Sequence, residues 1–100
     1  MFRFTRIATA KNNHDLIAAL EWAGEATAYV NKIFPLNTRY GCEVYGGTRV
    51  HFSWETDSLD KVNEIMVKMM QDREYVSMLG KVKHLWVEGS VNDTLVFYPD

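Results

Sequence analysis

The first residues of the chain alternate between apolar and polar side chains, which is the pattern of a β-strand with one buried face. This alternation runs over residues 2–9, and Arg6 is the one charged exception on the apolar side. The other residues of that side are Phe2, Phe4 and Ala8. The pattern therefore predicts a first strand that carries a single charge toward the core.

A helical spacing of apolar residues follows the first strand. Asn12 or Asn13 is the predicted N-cap, and the helix is expected to run to about Phe34, where Pro35 stops it. Its apolar residues span roughly 200° of the helix circumference, whereas one-sided packing needs about 100°. We therefore expect a dimer partner, or a long loop folded over it, to cover one flank of this helix.

Two further strands, over residues 39–45 and 49–55, are predicted to form a hairpin around the turn at residues 46–48. A three-residue loop with a glycine at positive φ places apolar side chains opposite each other on one face and complementary charges on the other. The predicted pairs are Val44–Val50, Cys42–Phe52 and Tyr40–Trp54 on the apolar face, and Arg39–Glu55, Glu43–His51 and Tyr45–Arg49 on the other.

The second half of the chain predicts a broken helix and a last strand. Asp57 or Ser58 caps the second helix, whose apolar stripe loses phase before Asp72, and Asp72 can cap a new helical segment. Residues 94–98 read as the last strand. The order predicts one ferredoxin-like βαββαβ domain of the α+β class over residues 1–100, with an antiparallel sheet, helices on one face and a second helix broken near Asp72.

Composition excludes several classes of partner. The formal net charge is -2, and the 11 Lys and Arg residues form no basic run, so neither nucleic acid nor a membrane surface is an expected partner. The lone Cys42 rules out an internal disulfide and is typical of a reducing compartment. The charged first residues do not form a signal peptide or a membrane span, so we expect a cytoplasmic protein.

The predicted sheet has one apolar face and one mixed face. The apolar face is expected to form the core under the helices, whereas the mixed face also carries Ile7, Tyr45, Val96 and Tyr98. A solvated sheet back and a dimer interface are the two alternatives for this face. A second sheet packed over it in a homodimer is favoured, because these side chains are too apolar for a wet surface.

The best acid–base candidates are His51 and Glu43 on that mixed face. A carboxylate beside an imidazole favours the charged form of the ring and fixes its tautomer, as a general base requires, although such a pair is also common in plain sheets. The three histidines have no short ligand spacing, so we expect no metal site. No phosphate-binding glycine motif is present, and no cofactor is expected.

A ligand pocket is the other candidate site. The three tryptophans and several methionines can line an apolar pocket for a flat ligand, although such residues also serve simply to fill a core. They are Trp22, Trp54, Trp86, Met66, Met69, Met70 and Met78. Tyr45, Arg49 and His84 are further candidate ligand-binding residues.

The chain resembles the dimeric α+β barrel superfamily, and its small-monooxygenase and NIPSNAP-like branches in particular. The resemblance rests on the order of elements over nearly the whole chain, on the break at residues 72–75, and on Glu74-Tyr75 and Leu79 followed by Gly89-Ser90. It implies a homodimer in which two sheets pack their helix-free faces into a barrel. The Asn, Trp and His set of the haem-degrading branch has no match here, which disfavours haem chemistry.

Two functions of different classes follow. The first is binding of a small apolar or aromatic molecule, with or without a cofactor-free oxygenation or isomerisation in which His51 and Glu43 handle protons. The alternative is a non-catalytic dimerisation module whose polar strand face is an interface only. An enclosed cavity that reaches His51 or Trp86 favours the first function.

Overall fold

A four-stranded antiparallel sheet forms the base of the structure, in the strand order β2-β3-β1-β4. The computed structural model describes residues 1–99. Its elements are β1 (Phe2–Thr9), α1 (Asn13–Ile33), β2 (Arg39–Cys42), β3 (Arg49–Thr56), α2 (Leu59–Gln71), α3 (Arg73–Lys81), a 3₁₀ turn (Lys83–Leu85) and β4 (Asn92–Phe97). The predicted βαββαβ order is confirmed, with the second helix divided into α2 and α3.

Local capping explains where α1 begins and ends. The Asn12 side chain accepts a hydrogen bond from the backbone N–H of Asp15 at 2.8 Å, which satisfies one of the free donors of the first turn. At the other end, Phe34 is extended, as expected for a residue that precedes a proline. Asn12 is thus the N-cap, and Pro35 limits the helix at Ile33.

Asp72 produces the break between α2 and α3. Its Oδ1 accepts the backbone N–H of Tyr75 at 2.8 Å and so caps α3. The same oxygen accepts the hydroxyl of Tyr29 on α1, also at 2.8 Å. The break is therefore both a helix start and a point of attachment to α1, and the hydrogen bond to Asp72 raises the pKa of Tyr29.

The predicted register of the hairpin is wrong by two residues. Cys42 lies opposite Val50, where Val44 was expected. Arg39 lies opposite Ser53 and not opposite Glu55. Glu55 instead bonds to Arg3 of β1. The reason is that β2 ends at Cys42 and a longer loop follows, with Gly46 at φ +73°. A shift of two residues keeps every side chain on its predicted face, so the division of the sheet into two faces is unaffected.

Thr48 determines where that loop ends. Its backbone oxygen accepts the N–H of Ala10 at 2.8 Å, and its hydroxyl donates to the carbonyl of Ala10 at 2.7 Å. Both bonds attach Thr48 to the end of β1 and not to β2. Because Ala10 is far away in the sequence, the local pattern of the hairpin contains no signal for this attachment.

The wide apolar arc of α1 is covered in part by the chain itself. The indole Nε1 of Trp22 donates to the carbonyl of Met78 on α3 at 3.0 Å, and Tyr29 bonds to Asp72. The cover from the same chain is thus helix α3 with its cap and not the long loop that was predicted, and Ile17 and Ile33 stay exposed. Within residues 1–99, no helix is long and apolar enough to cross a membrane.

The two faces of the sheet differ in what covers them. Phe4, Ala8, Val50 and Trp54 are buried under the helices. Val50 packs in a cluster with α1, whereas Phe4 and Trp54 pack in a second cluster with α2. Strand β4 differs from the others because all six of its residues are exposed, although it includes apolar side chains. Among the described residues 1–99, this edge strand pairs only with β1, and its outer edge has no partner strand.

Candidate functional site

A cavity of about 690 Å³ lies between the helix-facing side of the sheet and the helices. Most of its wall is apolar and aromatic, and its polar side chains are few. Its buried and half-buried wall includes Phe4, Arg6, Trp22, Ala26, Thr27, Val30, Thr38, Phe52, Trp54, Met66, Met69, Tyr75, Leu79 and Trp86.

The regular geometry of α1 and of the strands explains this wall. Trp22, Ala26 and Val30 follow one another at intervals of four residues and therefore share one face of α1. On the sheet, Phe4 of β1 lies directly opposite Trp54 of β3, and their ring centroids are 5.5 Å apart. Among these residues Ala26 has the smallest side chain, so a larger residue at this position would reduce the space of the cavity.

Trp22 and Trp86 form the aromatic end of the cavity. The ring of Trp22 makes an edge contact with Trp86 at 6.1 Å between centroids and another with Phe52 at 6.2 Å. The backbone around Trp86 is attached to the end of β1, because the N–H of Val87 donates to the carbonyl of Thr9 at 2.8 Å. This end of the cavity is therefore held by both side-chain packing and backbone bonds.

The cavity opens to solvent beside the Trp86 segment. The exposed residues of its wall all belong to the end of β1 or to the segment from residue 83 to residue 91: Lys11, Lys83, Val87, Glu88, Gly89 and Val91. A small molecule can enter here without displacing a helix.

Arg6 is the charged group on the inner wall of the cavity. Its guanidinium donates to both carboxylate oxygens of Asp93, from Nε at 2.7 Å and from Nη2 at 2.8 Å. The two residues are register partners on β1 and β4, which explains the bidentate geometry. These bonds raise the pKa of Arg6, and its charge also lies over the ring of Phe4 at 5.7 Å. Arg6 is thus a fixed cation with further N–H donors beyond those that Asp93 uses.

Tyr75 is the second polar group of this wall. It is buried on α3, and burial raises the pKa of its hydroxyl, while the nearby charge of Arg6 opposes that rise. At neutral pH Tyr75 is therefore protonated. The cavity combines a cation and a neutral hydroxyl in an otherwise apolar wall, which is an arrangement suited to a polar oxygen on a ligand.

The structure places the predicted ligand-binding residues in different regions. Trp54 and Trp86 both line the cavity. Tyr45 lies at the tip of the loop between β2 and β3, where its side chain is 91% exposed, and His84 is exposed on the 3₁₀ turn. Arg49 lies on the helix-free face. Only the two tryptophans of this predicted set come together.

His51 and Glu43 lie away from the cavity. His51 is the register partner of Ile7, on the face opposite to that of Phe52 and Trp54. Its Nε2 is 3.5 Å from the Glu43 carboxylate, which is an ion-pair distance without a hydrogen bond, and Nε2 is enclosed and has no other partner. The proton-handling role of the pair stays a prediction.

Arg49 is the principal partner of Glu43. Its Nη2 lies 2.6 Å from one carboxylate oxygen, and its Nε donates to the other at 2.9 Å. This hydrogen bonding lowers the pKa of Glu43, with a smaller contribution from His51. The predicted contact between Arg49 and Tyr45 is therefore replaced by an Arg49–Glu43 pair.

Sequence reasoning placed the three tryptophans, including Trp22 of α1, in a candidate pocket wall. It did not assign Arg6 or Tyr75 to that wall. Arg6 had a detectable signal, since it was the one charge on the apolar side of β1. Tyr75 had none, because a tyrosine in an amphipathic helix is ordinary. Within residues 1–99, no three His, Cys, Asp or Glu side chains are placed to hold a metal ion.

The order of elements, the helix-covered sheet and the cavity between them define the fold of the dimeric α+β barrel proteins. The sequence matches no protein-family model and no curated protein. Solved structures, however, match over nearly the whole chain.

Three of these structures represent two kinds of protein. A NIPSNAP family protein of unknown function from Agrobacterium tumefaciens is 22% identical, with a TM-score of 0.76 over 96% of this chain and 86% of that chain. An uncharacterized NIPSNAP domain protein from Burkholderia xenovorans is 13% identical, with a TM-score of 0.78 over 100% of both chains. SnoaB, a cofactor-independent oxygenase from Streptomyces nogalater studied as a point mutant, is 7% identical, with a TM-score of 0.71 over 99% of this chain and 93% of that chain. At these identities the comparisons establish the fold.

The raised pKa of Tyr75 makes a prediction for stability at alkaline pH. In the unfolded chain a tyrosine ionises near pH 10 or so, so the unfolded state releases this proton before the folded state does. The stability linked to Tyr75 is therefore complete below about pH 10 and is lost as pH rises through the folded pKa. We expect the free energy of unfolding of Tyr75→Phe, measured with urea, to fall less steeply above about pH 10 than that of the parent protein. Parallel curves would show that Tyr75 is not the buried tyrosine described here.

Proposed function

We propose that this protein binds a small, largely apolar molecule of aromatic size in the cavity between the sheet and the helices. The observation that carries the proposal is the cavity itself, whose wall holds all three tryptophans of the chain and a single inner cation, Arg6. Its volume of about 690 Å³ is within the range of small-molecule sites, and a few polar groups in an apolar wall are typical of such sites.

Arg6 and Tyr75 orient the ligand in this proposal. The N–H donors of Arg6 that Asp93 leaves free, and the hydroxyl of Tyr75, bind a polar atom of the ligand, while the aromatic wall buries its rings. A buried donor to a charged or polarised oxygen is worth about 1.5–3 kcal/mol, whereas apolar burial carries little directional preference. Affinity therefore depends on the aromatic wall and orientation on Arg6.

A second candidate function is enzymatic, as a cofactor-independent oxygenation or isomerisation of the bound molecule. The observation that favours it is the pairing of a cation with a protonated hydroxyl in a largely apolar cavity wall. Arg6 is suited to stabilise an oxyanion that develops on the ligand, and Tyr75 is suited to donate a proton to it. SnoaB shares this fold and is a cofactor-independent oxygenase, which is the support that the comparisons offer.

His51 and Glu43 have a different place in this proposal. They lie on the helix-free face, so a proton-handling role for them requires a second site on that face. In an α+β barrel dimer this face is covered by the partner sheet. The non-catalytic alternative, a dimerisation module, assigns these two residues to the interface and gives the cavity no ligand.

Filling the cavity from α1 tests the binding proposal. Ala26 lines the cavity and is 3% exposed, so Ala26→Leu places a larger side chain in the space assigned to the ligand. We expect this change to lower the affinity for 2-methylnaphthalene, measured by isothermal titration calorimetry, by about tenfold or more, that is, by about 1.4 kcal/mol.

Ala28→Leu is the matched control, because Ala28 is an exposed residue of the same helix and the substitution is identical. It should leave the affinity unchanged. No binding of the probe to the parent protein, or an equal loss in both variants, would contradict binding in this cavity.

We also propose that the protein is a homodimer whose protomers pack their helix-free sheet faces together. Val96 and Tyr98 on this mixed face are 42% and 40% exposed in the single protomer. Apolar and aromatic side chains on such a face are usually covered in the assembled protein. In the proposed homodimer, the helix-free face of the partner protomer supplies that cover.

A charge on this face tests the dimer. Val96→Asp places an acidic group on the proposed interface, and Val67→Asp places the same group on an exposed position of α2. We expect sedimentation equilibrium at micromolar concentration to give a dimer for the parent and for Val67→Asp, and a monomer for Val96→Asp. A parent protein that sediments as a monomer would refute the dimer.

A further inference from the structure

The open end of the cavity carries two exposed lysines that have no carboxylate partner. Both Lys11 and Lys83 belong to the cavity wall. In the described part of the chain neither forms an ion pair, and Glu88, the one acidic residue of this wall, forms none either. The inner cation differs, because Arg6 is bonded to both carboxylate oxygens of Asp93. The positive charge that the wall leaves uncompensated therefore lies at the mouth of the cavity.

Backbone bonds hold these two lysines on adjoining segments of the mouth. The N–H of Lys11 donates to the carbonyl of Leu85 at 2.9 Å, and the preceding Ala10 forms an antiparallel bridge with Trp86. Lys83 begins the 3₁₀ turn that ends at Leu85, and such a turn rises only about 2 Å per residue. The two side chains thus start from neighbouring backbone, and their flexible four-carbon stems can bring both ammonium groups to one anion.

An anionic group on a ligand is better accommodated at this mouth than in the interior of the cavity. A buried anion loses its hydration, and the charge of Arg6 is already balanced by Asp93. At the mouth an anion keeps water on its outer side, while the two ammonium groups attract it across a wall of low dielectric constant. The apolar part of the same ligand then occupies the aromatic interior.

We infer that the ligand is an aromatic acid, bound with its rings against the tryptophans of the interior and its carboxylate beside Lys11 and Lys83. This inference rests on the proposed binding function and names the class of ligand. The two lysines are specificity-determining residues, because they select the acid over a neutral molecule of the same shape. Glu88 opposes them and reduces that selection.

The test compares 2-naphthoate with 2-naphthamide, which have nearly the same shape and differ in charge. Isothermal titration calorimetry at neutral pH and low salt should give the parent protein an affinity for 2-naphthoate about threefold or more above that for 2-naphthamide. Lys11→Gln and Lys83→Gln should each reduce this preference. The double variant should abolish it by weakening the binding of 2-naphthoate without weakening that of 2-naphthamide.

Two further measurements depend on the sign of the charges. Glu88→Gln removes the opposing charge and should raise the affinity for 2-naphthoate alone. Added salt should weaken the binding of 2-naphthoate to the parent protein but not that of 2-naphthamide, because salt screens exposed charges. Lys32→Gln is the matched control, since Lys32 is exposed at the end of α1 and does not line the cavity. It should keep the full preference for 2-naphthoate.

Ala26→Leu separates binding in the cavity from binding at the protein surface. It should weaken both probes, because each places its rings in the space that the leucine fills. Equal affinities of the parent for the two probes would overturn the selection of an acid. A preference that survives in the double lysine variant, or an equal loss in Lys32→Gln, would also overturn it. With either result, binding of 2-methylnaphthalene in the cavity would leave the binding function intact, whereas its failure to bind would refute that function itself.

Discussion

The position of Trp22 is the constraint on which the rest of the structure depends. Its ring contacts Phe52 on the sheet and Trp86 beyond the 3₁₀ turn, and its indole N–H bonds to the carbonyl of Met78 on α3. One side chain thus connects α1, α3, the sheet and the segment that precedes β4. The large ring of Trp22 lies between α1 and the sheet, and the residue one turn further along the helix is the small Ala26. Helix α1 therefore packs against the sheet and still leaves room for the cavity.

The inner charged group in the wall of this cavity is placed there by strand pairing. Arg6 is on the helix-facing side of β1 because side chains alternate along a strand, and Asp93 is its register partner on β4. The carboxylate of Asp93 compensates the charge of Arg6, which an apolar wall alone would not tolerate. The result is a cation whose direction is fixed by two bonds, next to the buried hydroxyl of Tyr75. The same few elements thus produce both the apolar wall that binds rings and the polar groups that orient them.

The topology was predictable from the sequence because it depends on local signals. Alternation identified β1, the Asn12 cap and Pro35 delimited α1, and Asp72 marked the helix break. The hairpin register was not predictable, because it depends on the bonds between Thr48 and Ala10, residues that are distant in sequence. Of the cavity wall, the sequence predicted the three tryptophans, Met66 and Met69. Arg6 was visible as an exception to the alternation of β1, but its partner Asp93 and its neighbour Tyr75 come from other elements. The predicted acid–base pair, His51 and Glu43, lies on the opposite face of the sheet.

The most direct test of this account is the location of a bound aromatic probe. Two-dimensional ¹H–¹⁵N NMR of the protein titrated with 2-naphthol reports separately on the indole N–H groups of Trp22, Trp54 and Trp86 and on the imidazole of His51. We expect the three indole signals to shift together with saturation, while the His51 signals stay in place. Shifts confined to His51 and its neighbours on the helix-free face, with the indole signals unmoved, would contradict the account.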